Sequence, residues 1–304
     1  MSKITIKRRE FIAALGMGTA HLMFAGPLSA SNSRVLNNDP FQKVRLGNSG
    51  IETTLLGMGT GVHASNRTSF LTKQAKSESI DLLYHAYNTG IRYFDMADTY
   101  GTHQLLADVL PKMERKDLTL TTKIWTREGG IPEKARPNAD VVVDRFRKEL
   151  KTDYIDIVQV HCMVDEDWTE TLKPQMDILA NLKAKGIIRA HGVSVHSLDA
   201  MKNALQSEWV DVIHVRINPY GIAMDKPGPA EVVEVINALH RSGKGVIGMK
   251  LIGDGKLRND SEKIDHALRF VLGLGSVDMM IVGFEEKAQI DNYVARMKSA
   301  LKEI

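Results

Sequence analysis

Asp95, Tyr100, Lys123 and His161 are the residues whose types and order suggest chemistry. Asp95 closes the run Tyr93-Phe94-Asp95, and a phenol, Tyr100, follows five residues later ahead of Gly101. Residues 118–123 alternate leucine with threonine and end in Lys123, and residues 154–161 end in His161. A carboxylate, a phenol, an ammonium and an imidazole are the groups that proteins use to move protons. Three consecutive strands that each end in an ionisable group suggest a parallel barrel with its chemistry on one rim, where such barrels keep their catalysts. Parity supports that direction. In 118–123 the leucines share one strand face, while Thr119, Thr121 and Lys123 share the other and would point into the barrel. Ile155, Ile157, Gln159 and His161 likewise share a face.

The elements that would position these groups alternate along the chain. Residues 44–51 read as a hairpin with its turn at Gly47-Asn48-Ser49-Gly50. A strand at 55–58 precedes Gly59-Thr60-Gly61. Ser77 is a plausible start for a helix through Tyr87, stopped by Gly90. After the Asp95, Lys123 and His161 strands, helices are expected near 105–113, 140–150 and 172–185. Strands at 187–195, 210–217, 245–250 and 279–282 then alternate with helices at 198–205, 229–241, 264–272 and 287–301. Eight strand–helix pairs after a hairpin predict an α/β fold, a (β/α)8 TIM barrel with an N-terminal β-hairpin.

The composition is that of a soluble globule, 43% hydrophobic and 25% charged, with a formal net charge of +3. The basic residues are scattered, so nothing implies a nucleic-acid surface. One cysteine, Cys162, excludes an intrachain disulfide and a thiolate zinc cluster. Lys7-Arg8-Arg9-Glu10-Phe11-Ile12, a Gly/Ala-rich run at 13–28 and then Ser29-Ala30-Ser31 resemble a twin-arginine export signal. That resemblance implies a signal peptide at 1–31, a linker at 32–41 and the barrel at 42–304. It also implies the twin-arginine export machinery as a partner, a periplasmic location and no stable membrane span in the mature form. A plain basic arm is the alternative, and would leave the protein cytoplasmic.

Phe94-Asp95-Met96-Ala97, Tyr100-Gly101, Thr122-Lys123 and Val160-His161 resemble the catalytic strands of the aldo-keto reductases. Gly192-Val193-Ser194, Asn218-Pro219 and Ile281-Val282-Gly283 followed by Gln289 resemble that family's later strand ends. The resemblance runs from about residue 42 onward. It implies NADP(H)-dependent, or alternatively NAD(H)-dependent, interconversion of a small carbonyl compound and its alcohol. Tyr100 would be the general acid, and Lys123 would lower its pKa. Asp95 would hold Lys123, and His161 would orient the substrate oxygen. The cofactor would meet Ser194, His214, Met249, Lys250, Leu251, Gly253, Gly255, Gly283, Gln289 and Asn292. This sequence departs from the family at Val195, often an asparagine, at His214, a glutamine, and at Met249, an aromatic. Lys287 is the basic residue close to Gly283 that could meet a 2′-phosphate. The substrate pocket is expected to depend on residues 125–127, 163–168 and 220–229.

Each residue also has an ordinary reading: Tyr100 as packing, Asp95 or Asp98 as a helix cap, Lys123 as solvated, His161 as a core histidine. Order and shared inward parity favour a site. Two other functions fit the same barrel. One is a Schiff-base aldolase using Lys123 or Lys250; the other is a non-catalytic barrel that binds a dinucleotide. A metal-dependent hydrolase fits less well, because His191 and His196 lie on opposite strand faces.

Overall fold

The computed structural model describes residues 36–226 and 228–304. The export signal expected at 1–31 lies outside the described residues. Short apolar runs rich in Val, Ile and Met form strands buried on both faces, as parallel sheets require. They are β3 (Leu56–Gly59), β4 (Tyr93–Asp95), β5 (Thr119–Ile124), β6 (Ile155–Met163), β7 (Ile188–Val195), β8 (Val212–Arg216), β9 (Gly245–Met249) and β10 (Met279–Gly283). All pair in parallel with their neighbours, and β10 pairs back with β3, so the sheet closes into a barrel in chain order. The expected (β/α)8 barrel is the observed fold.

The hairpin is also present, as β1 (Lys43–Arg45) and β2 (Glu52–Thr54) in antiparallel register. Its turn packs on the strand starts. Asn48 N–H donates to Gly243 O at 2.7 Å, and Gly47 N–H donates to the Asp278 carboxylate at 3.1 Å. The hairpin therefore caps the end of the barrel opposite the Asp95 rim.

The longer helices between the strands are α2 (Lys76–Thr89), α4 (Ala139–Leu150), α6 (Lys173–Ala184), α7 (Leu198–Gln206), α8 (Ala230–Arg241), α9 (Ser261–Leu274) and α10 (Lys287–Leu301). Shorter ones are α1 (Phe70–Lys73), α3 (His103–Val109) and α5 (Trp168–Thr171). On α4, Ala139, Val142, Val143, Phe146 and Leu150 recur at helical spacing and are all buried, so one face joins the core around the sheet. Boundaries shifted where local chemistry overruled the pattern. The helix expected over 105–113 ends at Val109 and tightens into a 3-10 turn at Leu110–Lys112, because Pro111 lacks an N–H. The helix expected to start at Ser77 begins at Lys76. α9 starts earlier than expected because the Asp260 side chain accepts from Lys263 N–H at 3.1 Å and caps it. No helix among the described residues is long and apolar enough to cross a membrane.

Gly192 shows how tightly β7 meets β8. A Cβ there would lie 1.8 Å from the Val212 carbonyl oxygen, between two strands fixed by the barrel. Gly192→Ala is therefore expected to destabilise the fold by about 3 kcal/mol, read as a drop in the urea midpoint. An unchanged midpoint would mean that the strands give way more easily than a closed barrel should allow.

Candidate active site

β4 and β5 bring Asp95 and Lys123 together inside the barrel. Asp95 pairs in register with Thr121, so Lys123 projects inward one strand step further along the same face. Lys123 Nζ forms a short ion pair with Asp95 Oδ1 and donates to Met96 O at 3.0 Å. Both side chains are buried. Burial raises the Asp95 pKa, but the charge of Lys123 and the bond from His214 outweigh it and hold the carboxyl at about 2. Burial lowers the Lys123 pKa, and Asp95 opposes that shift.

Tyr100 rides on a turn just past β4. The 3-10 turn Asp98–Tyr100 is closed by Gly101 in the left-handed region, φ 69°. Asp98 is buried and accepts from Arg67 Nε at 2.9 Å and Arg145 Nη2 at 2.7 Å, so two arginines fasten the turn. Asp98 is thus a turn anchor rather than a helix cap. Lys123 Nζ lies 5.2 Å from the Tyr100 ring centroid. Burial pushes the Tyr100 pKa well above its ordinary value, and Asp95 pushes it further. The expectation was that Lys123 would lower it. In this geometry a phenolate would be poorly hydrated and close to a carboxylate, so Tyr100 holds its proton.

His161 comes from the C-terminal end of β6. There the register with β7 shifts between Val160 and Met163, and Cys162 takes φ 60°. Ser194 Oγ accepts the Cys162 N–H at 2.9 Å and secures this irregularity. The His161 ring stands edge-on to Tyr100, 5.7 Å between centroids, and edge-on to Trp125 at 5.4 Å. Its Nδ1 is buried without a partner among the described residues. Burial, and then Lys123, lower its pKa well below the ordinary histidine value, so the ring is neutral at pH 7. Asp95, Tyr100, Lys123 and His161 therefore converge on one rim. Together they offer a proton donor, a buried cation and a neutral imidazole with a free nitrogen.

A cavity of about 520 Å³ opens beside them. Asp95 and Tyr100 line its inner end. Met249, Lys250, Leu251 and Gly255 form one wall, and Gly283, Gln289 and Asn292 form another. Ser194, His214 and Gly253 do not line it. Ser194 serves the Cys162 bulge instead, His214 lies inside the barrel against Asp95 at 3.3 Å, and Gly253 is buried in its turn. Lys250 is in the left-handed region, φ 60°, and pairs with Asp254. Asn218 brackets that loop by donating to Ile222 O at 2.7 Å and Lys250 O at 3.1 Å. Lys287 does not line the cavity; it reaches Asp81 on α2 at 3.5 Å.

Arg258, Ser261 and Arg296 line the outer end and were not singled out from the sequence. Arg258 lies three residues beyond Gly255 in the loop already read as glycine-rich. Arg296 follows Gln289 and Asn292 at helical spacing on α10, a signal that was available. Arg296 is held by Asp265 at 2.7 Å, whereas the Arg258 guanidinium donates to Gly255 O at 3.3 Å and meets no carboxylate among the described residues. Of the loops expected to shape the substrate side, residues 125–127 bring Trp125 to His161. Trp168 is buried, with its indole N–H donating to Ala200 O at 3.1 Å, and it serves packing.

The profile of the Aldo/keto reductase family matches residues 55–270. An uncharacterized oxidoreductase of Bacillus subtilis, YqkF, is 29% identical over 161 residues, which are 50% of this chain and 48% of that protein. The NADH-specific methylglyoxal reductase of Escherichia coli is 24% identical over 204 residues, 60% of this chain and 61% of the relative. The chain spans about half the length of the first curated relatives that it matches. Among solved structures, the holo form of an aldo-keto reductase from Bacillus halodurans is similar with a TM-score of 0.68 at 19% identity, over 86% of this chain and 95% of that one. At that identity the likeness concerns the fold.

Gly61 bears directly on the phenol. A Cβ at Gly61 would lie 2.5 Å from Tyr100 Cζ. Gly61→Ala is expected to push the ring aside and to lower kcat by about 100-fold, as misplacement by about 1 Å does elsewhere. Its circular dichroism should remain that of the parent, and unaltered turnover would show that the phenol position is not critical.

Proposed function

The chain belongs to the aldo/keto reductase family, and from that premise we propose that it interconverts a small aldehyde or ketone and the corresponding alcohol with a nicotinamide dinucleotide. The observation that carries this reading is that Asp95 and Tyr100 line the inner end of a cavity of about 520 Å³, with Lys123 paired to Asp95 and His161 edge-on to Tyr100. A cavity of that size is within the range of small-molecule and cofactor sites. Its glycine-containing loop and its arginines suit a phosphate-bearing ligand. Met249 lines it where the family has an aromatic, and a polarizable thioether can also pack against a flat ring.

When bound, the nicotinamide supplies the hydride for the carbonyl carbon. The chain supplies the proton and the electrostatics. Tyr100 keeps its proton at neutral pH and gives it to the carbonyl oxygen as the C=O π bond breaks. Lys123 stabilises the negative charge that then develops on the phenol oxygen. Asp95 keeps Lys123 charged and in place. His161, neutral and edge-on to Tyr100, fixes the substrate oxygen by a hydrogen bond from its ring. A neutral imidazole suits this role better than an imidazolium, which would repel Lys123.

NADP(H) is the proposed cofactor, with Arg258 as the partner of its 2′-phosphate. Lys250, Gln289, Asn292 and Arg296 would complete the outer wall. NAD(H) is the second reading, favoured by Glu285 and Glu286 on the same cavity wall, which would repel a 2′-phosphate. Export through the twin-arginine route, signalled by Arg8-Arg9, would carry the folded protein with its cofactor already loaded. The nucleotide would then be held tightly and recycled by a second substrate.

NADPH and NADH titrations, followed by nicotinamide fluorescence, test the reading together with oxidation in the presence of aldehydes and ketosugars. Tyr100→Phe is expected to bind nucleotide like the parent and to lose about 1,000-fold or more in turnover. Failure of the parent to bind either nucleotide would refute the proposal. Borohydride trapping at Lys123 or Lys250 would then identify a Schiff-base enzyme. Arg258→Ala is expected to weaken NADPH about 10-fold while changing NADH less than about twofold, a loss of one charged phosphate contact. Equal losses for both nucleotides would assign Arg258 to a phosphate that they share. Periplasmic fractionation followed by nucleotide extraction tests the loading step: exported protein free of nucleotide would overturn it.

A further inference from the structure

We propose that His214 is a positioning residue of this site, holding the Asp95 carboxylate so that one chosen oxygen meets Lys123. The inference rests on the proposed activity for its kinetic consequences, but not for the contact itself. His214 sits mid-strand on β8, in register with Ser194 and Ile247, and is fully buried inside the barrel. Its Nε2 lies 3.3 Å from Asp95 Oδ1, the same oxygen that pairs with Lys123 Nζ. The Tyr93 hydroxyl lies 3.4 Å from that same nitrogen. On the other side, Nδ1 has no partner among the described residues.

These contacts define the protonation of the ring. The charged and titratable groups around it are Asp95 and Tyr93 from β4, Lys123 from β5 and His161 from β6. Burial lowers its pKa below the ordinary histidine value, with Asp95 opposing and Lys123 adding, so the ring is neutral at pH 7. A neutral imidazole carries one N–H. Among the described residues only Nε2 has oxygens within reach, the Asp95 carboxylate at 3.3 Å and the Tyr93 hydroxyl at 3.4 Å; the ionised carboxylate can only accept, so the proton belongs on Nε2. The ring then donates to Asp95 Oδ1 from the barrel interior, while Lys123 donates to it along the rim.

Two donors on one oxygen restrict rotation of the carboxylate about its Cβ–Cγ bond. The position of the Lys123 ammonium follows from that restriction, and with it the 5.2 Å separation from the Tyr100 ring. His214 acts through Asp95 and lines no part of the cavity. This separates its role from cofactor contact, for which its sequence position had made it a candidate.

The experiment compares His214→Leu, His214→Gln and the parent, each also in an Asp95→Asn background. His214→Leu is expected to lower kcat about tenfold with the KM values for nucleotide and carbonyl within about twofold, a loss confined to the arrangement of the reacting groups. His214→Gln, whose amide can donate to the same oxygen, should restore most of that loss. In the Asp95→Asn background, His214→Leu should change residual turnover by less than about twofold, because the contact it removes is already altered. Nitrogen-15 NMR of the histidine rings should show His214 as the neutral Nε2–H tautomer, with a resonance that moves in Asp95→Asn. Parent-like kinetics in a folded His214→Leu, a Gln variant as impaired as Leu, an equal loss in both backgrounds, or an Nδ1–H tautomer would each overturn the proposal. Should His214→Leu fail to fold, His214→Gln and the NMR tautomer decide. A parent that reduces no carbonyl compound would remove the proposed activity, and the NMR result would still decide the Asp95 contact.

Discussion

The ion pair between Asp95 and Lys123 is the constraint that the rest of the structure answers. Taking a carboxylate and an ammonium out of water costs several kcal/mol for each ion, and only a close pair with further hydrogen bonds offsets it. Lys123 obtains such bonds from Asp95 and Met96 O, and Asp95 also lies within reach of His214. These partners come from β4, β5 and β8, so the barrel must close in a single register for the pair to be satisfied. A slip of β5 by one residue would turn Lys123 out of the barrel and bring Thr122 in. The same pair adds to the effect of burial on its neighbours. Burial, with Asp95 adding to it at Tyr100 and Lys123 adding to it at His161, leaves Tyr100 protonated and His161 neutral.

Outside the barrel the rim is fixed by polar contacts rather than by sheet bonds. Arg67 and Arg145 pin the turn that carries Tyr100, and Arg67 also pairs with Glu133, which joins two of the rim loops. Ser194 secures the irregular end of β6, and Asn218 brackets the loop at Lys250. Catalytic groups on a parallel barrel lie where strand bonding has stopped, so their precision depends on such side-chain bonds to the backbone. The cavity draws on both regimes. Its inner end is built from strand termini, and its outer end from α10 and the loop between β9 and α9.

Much of this was legible in the sequence, for physical reasons that can be named. The alternation of short apolar runs with helical patterns is a repeating signal, so the barrel could be read despite boundary errors such as the early end of α3 at Val109. Lys123 and His161 could be placed inside because strand parity is a strict period of two. Tyr100 could be placed on the rim because it closely follows β4. Tertiary contacts were less accessible. Ser194 and His214 lie on inward-facing strand positions, and no spacing rule tells whether such a side chain meets a ligand, a bulge or a carboxylate across the barrel. Lys287 and Arg258 exchanged expectations for the same reason: one is near Gly283 in sequence but turns to Asp81, and the other is distant in sequence but faces the cavity.

The sequence by itself determined the fold class, the order of the strands and the identity of the ionisable groups at their ends. Those properties depend on local periodicity and composition, which any stretch of chain carries alone. The tertiary structure decided the charge states and the partners. Tyr100 keeps its proton, His161 is neutral and His214 faces Asp95, because burial and distance across the barrel interior set these energies. Neither quantity exists until β3 to β10 have closed on one another.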